Sequence, residues 1–118
     1  MAFSFATEDR GSATVLRFSG YVDFEAGRQI RLHVQKLHQQ GKLIFILDFS
    51  QTPIVNSAAL GELIELVSRS LEEPGLQFLI SGLSPTCQCG FRIVGIFHCA
   101  AEFQDVAEAL ASLPNPGT

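Results

Sequence analysis

Histidine and cysteine side chains are the residues of this chain whose chemistry best suits metal binding or nucleophilic catalysis. The cysteines are Cys87, Cys89 and Cys99, and His98 precedes the last of them. A zinc knuckle needs roughly two to four residues between its first two ligands, whereas one residue separates Cys87 from Cys89. On a helix these two thiols would point about 160° apart. The spacing therefore predicts three free thiols and no metal site.

The remaining reactive side chains do not converge either. His33 and His38 fall on one predicted helix, about 140° out of phase, so they cannot share a ligand. No glycine-rich phosphate loop of known spacing is present. Nowhere does a nucleophile stand with a base and an oxyanion donor, which a catalytic site requires. We therefore expect a protein that is not an enzyme and carries no cofactor.

Carboxylates form one further candidate site. Glu62 and Glu65 lie on the same side of a predicted helix, and Glu65 stands four residues before Arg69, the spacing of an ordinary helical ion pair. Such a group is either a solvated helix face or a face that binds a partner. Both interpretations place Glu62 and Glu65 on the surface.

Composition limits the class of protein to which these residues belong. The chain has 118 residues, of which 47% are hydrophobic and 17% charged, as in one folded domain. We expect a domain over residues 1–113 and a flexible tail over 114–118. The 12 acidic residues outnumber the 8 basic ones, which argues against nucleic acid as a partner. The absence of a long apolar run or a basic leader predicts a cytoplasmic protein without membrane insertion.

Strand and helix patterns alternate along the chain. Residues 3–8 and 13–19 are predicted strands joined by a turn, and residues 43–47 and 77–81 are predicted buried strands. We expect the strand over 43–47 to be central and to end at Asp48, where a loop over 48–53 begins. Residues 97–103 are ambiguous and include at most a short strand. Alternation of this kind predicts parallel pairing, with the opening hairpin as an antiparallel edge.

Cap residues mark four helix starts. Asp23 precedes the first predicted helix and Asp105 precedes the last, over residues 106–113; Ser84-Pro85 opens another. The second helix follows Asn56 and Ser57, either of which can cap it. On a helical wheel the apolar residues of that helix form one stripe, and the polar ones lie opposite. The stripe comprises Leu60, Leu63, Ile64, Val67 and Leu71, and the opposite face comprises Ala58, Glu62, Glu65 and Arg69.

Residues 43–61, which read LIFILDFSQTPIVNSAALG, resemble the STAS domain family. In that family an apolar strand ends in an acid or amide, and a Ser-containing motif then opens a helix. Residues 18–23 and residues 83–97, with their Ser-Pro and Gly-Ile-Phe, resemble two further parts of the family pattern. The resemblance implies an α/β fold. Its sheet would be mixed but mainly parallel, with four to five strands and about four helices, mainly on one side.

The resemblance also implies a function. Small free-standing members are antagonists of anti-sigma factors: they bind a kinase-type anti-sigma factor and so free a sigma factor. Phosphorylation of the Ser that opens the second helix, here Ser57, ends that interaction, and a phosphatase resets it. The implied partner-binding residues lie at the start and polar side of that helix and in the loop before it: Asp23, Gln51, Thr52, Asn56, Ser57, Ala58, Gly61, Glu62 and Glu65.

Three positions differ from the family motif. Asn56 stands where an acidic residue precedes the Ser, Ala58 stands where a second hydroxyl is frequent, and Ala59 stands where a Gly is usual. An alternative function is therefore a STAS subunit that is not phosphorylated and belongs to a transporter-associated or stress-sensing complex.

Overall fold

The computed structural model describes residues 2–114, which form a five-stranded sheet with helices on both faces. The strands are β1 (Ser4–Arg10), β2 (Ala13–Ser19), β3 (Ile44–Gln51), β4 (Gln77–Ser81) and β5 (Ala101–Phe103), and they lie in sequence order across the sheet. β1 pairs with β2 antiparallel, and the other pairs are parallel. The predicted fold class is confirmed. Residues 115–118 of the predicted tail lie outside the described residues.

The helices begin at the predicted caps. They are α1 (Phe24–Gln39), α2 (Ser57–Ser68), α3 (Pro85–Ile93) and α4 (Val106–Ala111), with 3₁₀ turns at Arg69–Leu71 and Ile96–His98. The side chains of Asp23, Ser84 and Asp105 each accept a hydrogen bond from a backbone N–H in the first helical turn. The helices α1, α2 and α3 cover one face of the sheet, while α4 covers the other. This arrangement confirms that the helices lie mainly on one side.

β3 is the central strand, but it continues beyond the point where the sequence pattern ended it. Asp48 is buried inside the strand instead of starting a loop. Its carboxylate accepts hydrogen bonds from the hydroxyl of Ser81 at 3.2 Å and the hydroxyl of Ser50 at 3.1 Å, and it pairs with Arg17 at 3.3 Å. These contacts compensate the loss of water around the charge. The predicted loop over residues 48–53 was therefore wrong for residues 48–51, which continue β3, and Phe49 belongs to the core.

Three further expectations are corrected or resolved. Leu71 was placed in the apolar stripe of α2, but the helix tightens into a 3₁₀ turn at Arg69 and leaves Leu71 exposed. The ambiguous segment over 97–103 contains the end of a 3₁₀ turn and the short strand β5. The three cysteines are free, with Cys87 buried, Cys99 half-buried and Cys89 exposed.

Backbone amides in β3 should exchange with solvent more slowly than those in β1. β3 is paired on both sides, and its Phe45, Ile46 and Leu47 are fully buried, whereas β1 is an edge strand with mostly exposed side chains. Opening of β3 requires nearly global unfolding, so its exchange should report the largest free energies. Hydrogen–deuterium exchange followed by NMR measures this directly. Exchange in β3 as fast as in β1 would contradict the central position of the strand.

Candidate functional site

The first turns of α1 and α2 lie side by side at one edge of the sheet. Backbone hydrogen bonds hold the segments that lead into them: the N–H of Gly20 donates to the carbonyl of Gln51, and that of Val22 donates to Ile54, each at 3.0 Å. The N–H of Asn56 donates back to the carbonyl of Val22, also at 3.0 Å. Two segments that are about 30 residues apart in sequence therefore form one surface.

Asn56, and not Ser57, caps α2. The side-chain oxygen of Asn56 accepts from the N–H of Ala59 at 2.9 Å, and its carbonyl accepts from the N–H of Leu60 at 3.0 Å. Ser57 is the first residue of the helix and is exposed. Within residues 2–114 its hydroxyl takes part in no hydrogen bond, so it can be modified without removing the cap.

α1 and α2 approach each other closely at this end. A Cβ atom on Gly27 would lie 3.1 Å from the Cα of Ala59 and 3.3 Å from its Cβ, which is tighter than ordinary contact. Ala59 is fully buried in this crossing. Ala59, one of the residues that depart from the family motif, therefore packs against α1 and does not take part in the exposed surface.

Glu62 does not lie on the exposed face that the helical wheel assigned to it. Only 8% of the residue is exposed, and its carboxylate pairs with Arg31 of α1 in a two-bond contact, with Nε to Oε2 at 3.2 Å and Nη2 to Oε1 at 3.4 Å. The helical wheel placed the centre of the buried face too far from Glu62. Ala59 and Leu66 are also buried, so the buried face of α2 is rotated toward Glu62. Glu65 is exposed as predicted, although it forms no ion pair with Arg69 in the described part of the chain.

The other predicted partner-binding residues differ in accessibility. Thr52 is buried at 3% exposure, and its hydroxyl finds no hydrogen-bond partner among the described residues, so its side chain does not face a binding partner. Exposed on the surface are Asp23, Gln51, Ser57, Ala58, Gly61 and Glu65, while Asn56 is half-buried. The structure thus brings Asp23, Gln51 and Ser57 to one edge and takes Thr52 and Glu62 away from the surface.

Three exposed apolar side chains flank the two helix starts, and sequence reasoning missed them. Tyr21, Phe24 and Ile54 are each about half exposed. We call them the apolar rim. Phe24 could have been found from the wheel of α1, because it falls about 160° from Ala26 and thus off the buried stripe. Exposed apolar groups close together on a small domain commonly mark a protein-binding surface.

The edge can accept an anion, yet it holds no catalytic group that could act on one. The N–H groups in the first turn of α2 favour a negative charge beside Ser57. No cluster of potential metal ligands occurs among residues 2–114. A titratable group with a perturbed pKa lies elsewhere: burial and then the charge of Lys36 lower the pKa of His33, whose ring contacts the hydroxyl of Thr7 at 3.1 Å. The surface is therefore suited to being recognised or modified by another protein.

Several solved structures superpose on this fold. An anti-sigma factor antagonist from Mycobacterium paratuberculosis superposes with a TM-score of 0.82 at 14% identity, over 94% of this chain and 93% of that chain. The phosphorylated form of the Bacillus cell fate determinant SpoIIAA gives 0.70 at 23% identity, over 94% and 100%. The murine anion transporter Slc26a9 gives 0.70 at 16% identity, over 89% of this chain and 18% of the transporter. At these identities the likeness establishes a common fold.

The family of the chain follows from its sequence. Curated protein sequences yield no match to the chain. In the described part of the chain, no helix combines the length and the apolar character needed to cross a bilayer. The sequence profile of the STAS domain matches residues 4–109, which is most of the chain. The chain therefore belongs to the STAS domain family.

Proposed function

We propose that this protein is a partner-switching regulator of the cytoplasm that binds a kinase-type anti-sigma factor and thereby releases a sigma factor. Phosphorylation of Ser57 ends the interaction, and a phosphatase restores it. The observation that carries the proposal is the exposed Ser57 hydroxyl at the first position of α2, with the cap provided by Asn56. The protein itself catalyses no reaction in this scheme.

The surroundings of Ser57 explain how a phosphate would act. A phosphate adds a charge of about −1.5 to −2 at pH 7, which the N–H groups of α2 tolerate. The same charge would lie beside the apolar rim of Tyr21, Phe24 and Ile54. A partner that covers this rim would have to desolvate the phosphate, which weakens binding. The buried Glu62 does not contribute to this weakening of binding. Glu65 is exposed on the same helix.

Replacing Ser57 by Ala should abolish labelling by the kinase partner and leave the unphosphorylated complex nearly intact. Only one exposed hydroxyl is lost, and the cap on Asn56 remains, so stability should change by less than about 0.5 kcal/mol. The partner is first captured from native lysate and identified by mass spectrometry. Labelling is then measured with purified partner and radiolabelled ATP, with Ser68→Ala, at the half-buried last residue of the same helix, as the control.

Ser57→Asp provides a graded check. A carboxylate has one charge where a phosphate has nearly two, so Asp should weaken partner binding less than phosphorylation does. The difference should shrink at high salt, because exposed charges are then screened. Label that persists in Ser57→Ala, on Ser50, Thr52 or Ser68, would overturn the assignment of the phosphorylation site.

A second function rests on two observations. Asn56 removes the acidic residue that precedes the phosphorylated Ser in the family, and the same fold occurs within an anion transporter. On this alternative, the chain is a STAS subunit of a transporter-associated or stress-sensing complex and is not phosphorylated. Capture of a membrane transporter or a multi-subunit assembly, without label on any Ser or Thr, would favour this function over the first.

A further inference from the structure

A small cavity lies between the C-terminal halves of α1 and α2, at the far end of these helices from Ser57. Its volume is about 90 Å³. The floor is apolar and almost completely buried, and it is formed by Val34, Leu66, Leu76 and Phe78. For scale, an engineered apolar cavity of about 150 Å³ holds benzene. The α1–α2 cavity therefore has room for a short hydrocarbon chain but not for a nucleotide.

One side of the cavity is polar and carries an unpaired cation. Arg69 lies at the wall, and its exposed guanidinium makes no ion pair with an acidic residue within residues 2–114. Glu73 is near, but its carboxylate contacts the ring of His38, at 3.9 Å. A guanidinium presents several N–H donors in a planar fork that matches a carboxylate. The wall therefore offers a binding group for an anion next to an apolar floor.

Gln35 provides a second polar group at the same wall. Its side-chain amide nitrogen is shielded from solvent and has no hydrogen-bond partner in the part of the chain that the structure describes. A buried donor of this kind is unfavourable, and most such groups in folded proteins are satisfied. The Gln side chain has several rotatable bonds, so its amide can turn toward an acceptor that enters the cavity. A carboxylate oxygen that enters the cavity would satisfy this donor.

We propose that the α1–α2 cavity binds a short-chain aliphatic carboxylate. The hydrocarbon tail packs against Phe78 and Leu66, and the carboxylate accepts hydrogen bonds from Arg69 and Gln35. The apolar floor selects against inorganic anions, and the guanidinium selects against neutral molecules of the same shape. The site goes beyond the proposed function and is independent of Ser57, because it lies at the opposite end of the helices.

Titration of the full-length protein with sodium valerate, followed by NMR of backbone amides at constant ionic strength and pH 7, tests the site. Saturable shifts should occur at residues 34–39, at Arg69 and at residues 76–78, with millimolar affinity. Acetate, which lacks the tail, and 1-pentanol, which lacks the charge, should each bind at least about tenfold more weakly. Shifts that grow linearly with valerate, or pentanol binding as tight as that of valerate, would overturn the proposal.

Variants then assign the contacts. Arg69→Gln should weaken valerate binding about tenfold, the usual size of a lost hydrogen bond to a charged group. Gln35→Met, which keeps the shape of the side chain, should weaken it about threefold. Arg28→Gln is the matched control, because Arg28 is also an exposed helical arginine but contacts Glu25 and lies outside the cavity. Thermal unfolding of each variant verifies that it is folded. Equal affinities of the Arg69→Gln and Arg28→Gln proteins for valerate would then contradict the assignment.

Discussion

Replacing Phe49 by Ala should lower the free energy of unfolding by about 3–5 kcal/mol, the usual cost of removing a buried Phe ring. Phe49 is 1% exposed, and its ring centre lies 5.0 Å from that of Phe18 and 5.3 Å from that of Phe91. Removing the ring leaves a cavity between the sheet and α3. Because a domain of this size has a total stability of about 5–15 kcal/mol, the loss is large.

Urea unfolding followed by circular dichroism measures this effect. Phe24→Ala is the matched control, because the same ring is removed from a side chain that is half exposed. We expect the control to cost less than about 1 kcal/mol. If the two variants were equally stable, Phe49 would lie in a loop, as the sequence pattern predicted, and β3 would end at Asp48.

Replacing Glu62 alone should also lower the free energy of unfolding substantially. Glu62→Leu leaves the guanidinium of Arg31 without its carboxylate in a site where the two side chains are 10% and 19% exposed. Breaking one half of such a pair costs about 1–3 kcal/mol here, less than the value for a fully buried pair because Arg31 keeps some contact with water. Replacing both residues by Leu should recover most of the loss, since no unpaired charge is then left.

A double-mutant cycle on unfolding free energies separates these terms. We expect a coupling energy of about 1–3 kcal/mol between Arg31 and Glu62. The control cycle uses Arg28 and Glu25, which are 3.4 Å apart but about half exposed, and should give less than about 0.5 kcal/mol. Equal couplings in the two cycles would place Glu62 on the solvated face that the helical wheel assigned to it.

The burial of Glu62 changes which residues we assign to the partner-binding surface. If Glu62 holds α2 against α1, a substitution there alters partner binding by displacing the helix that carries Ser57, without any direct contact. A charge-reversal variant at Glu65, which is exposed, tests contact more cleanly. The surface that we assign to the partner therefore includes the apolar rim and Glu65 and excludes Thr52 and Glu62.

Local signals in the sequence determined most of the architecture. Asp23, Ser84 and Asp105 were identified as caps because a cap acts on N–H groups within one turn of itself. The strand over 77–81 was predicted at its observed bounds, because a short apolar run between turn residues is a local pattern. The order of these elements was sufficient to predict a mainly parallel sheet with an antiparallel edge.

Only the tertiary structure decided the position of the polar residues whose partners are distant in sequence. Asp48 continues β3 because Ser81 and Arg17, each more than 30 residues away, satisfy its carboxylate. Glu62 is buried because Arg31, on another helix, neutralises it. Hydrophobic periodicity places charged residues outside by default, and it contains no information about an opposite charge that arrives from another element. For the same reason, the exposed Ser57 hydroxyl became evident only when the fold assigned the cap to Asn56.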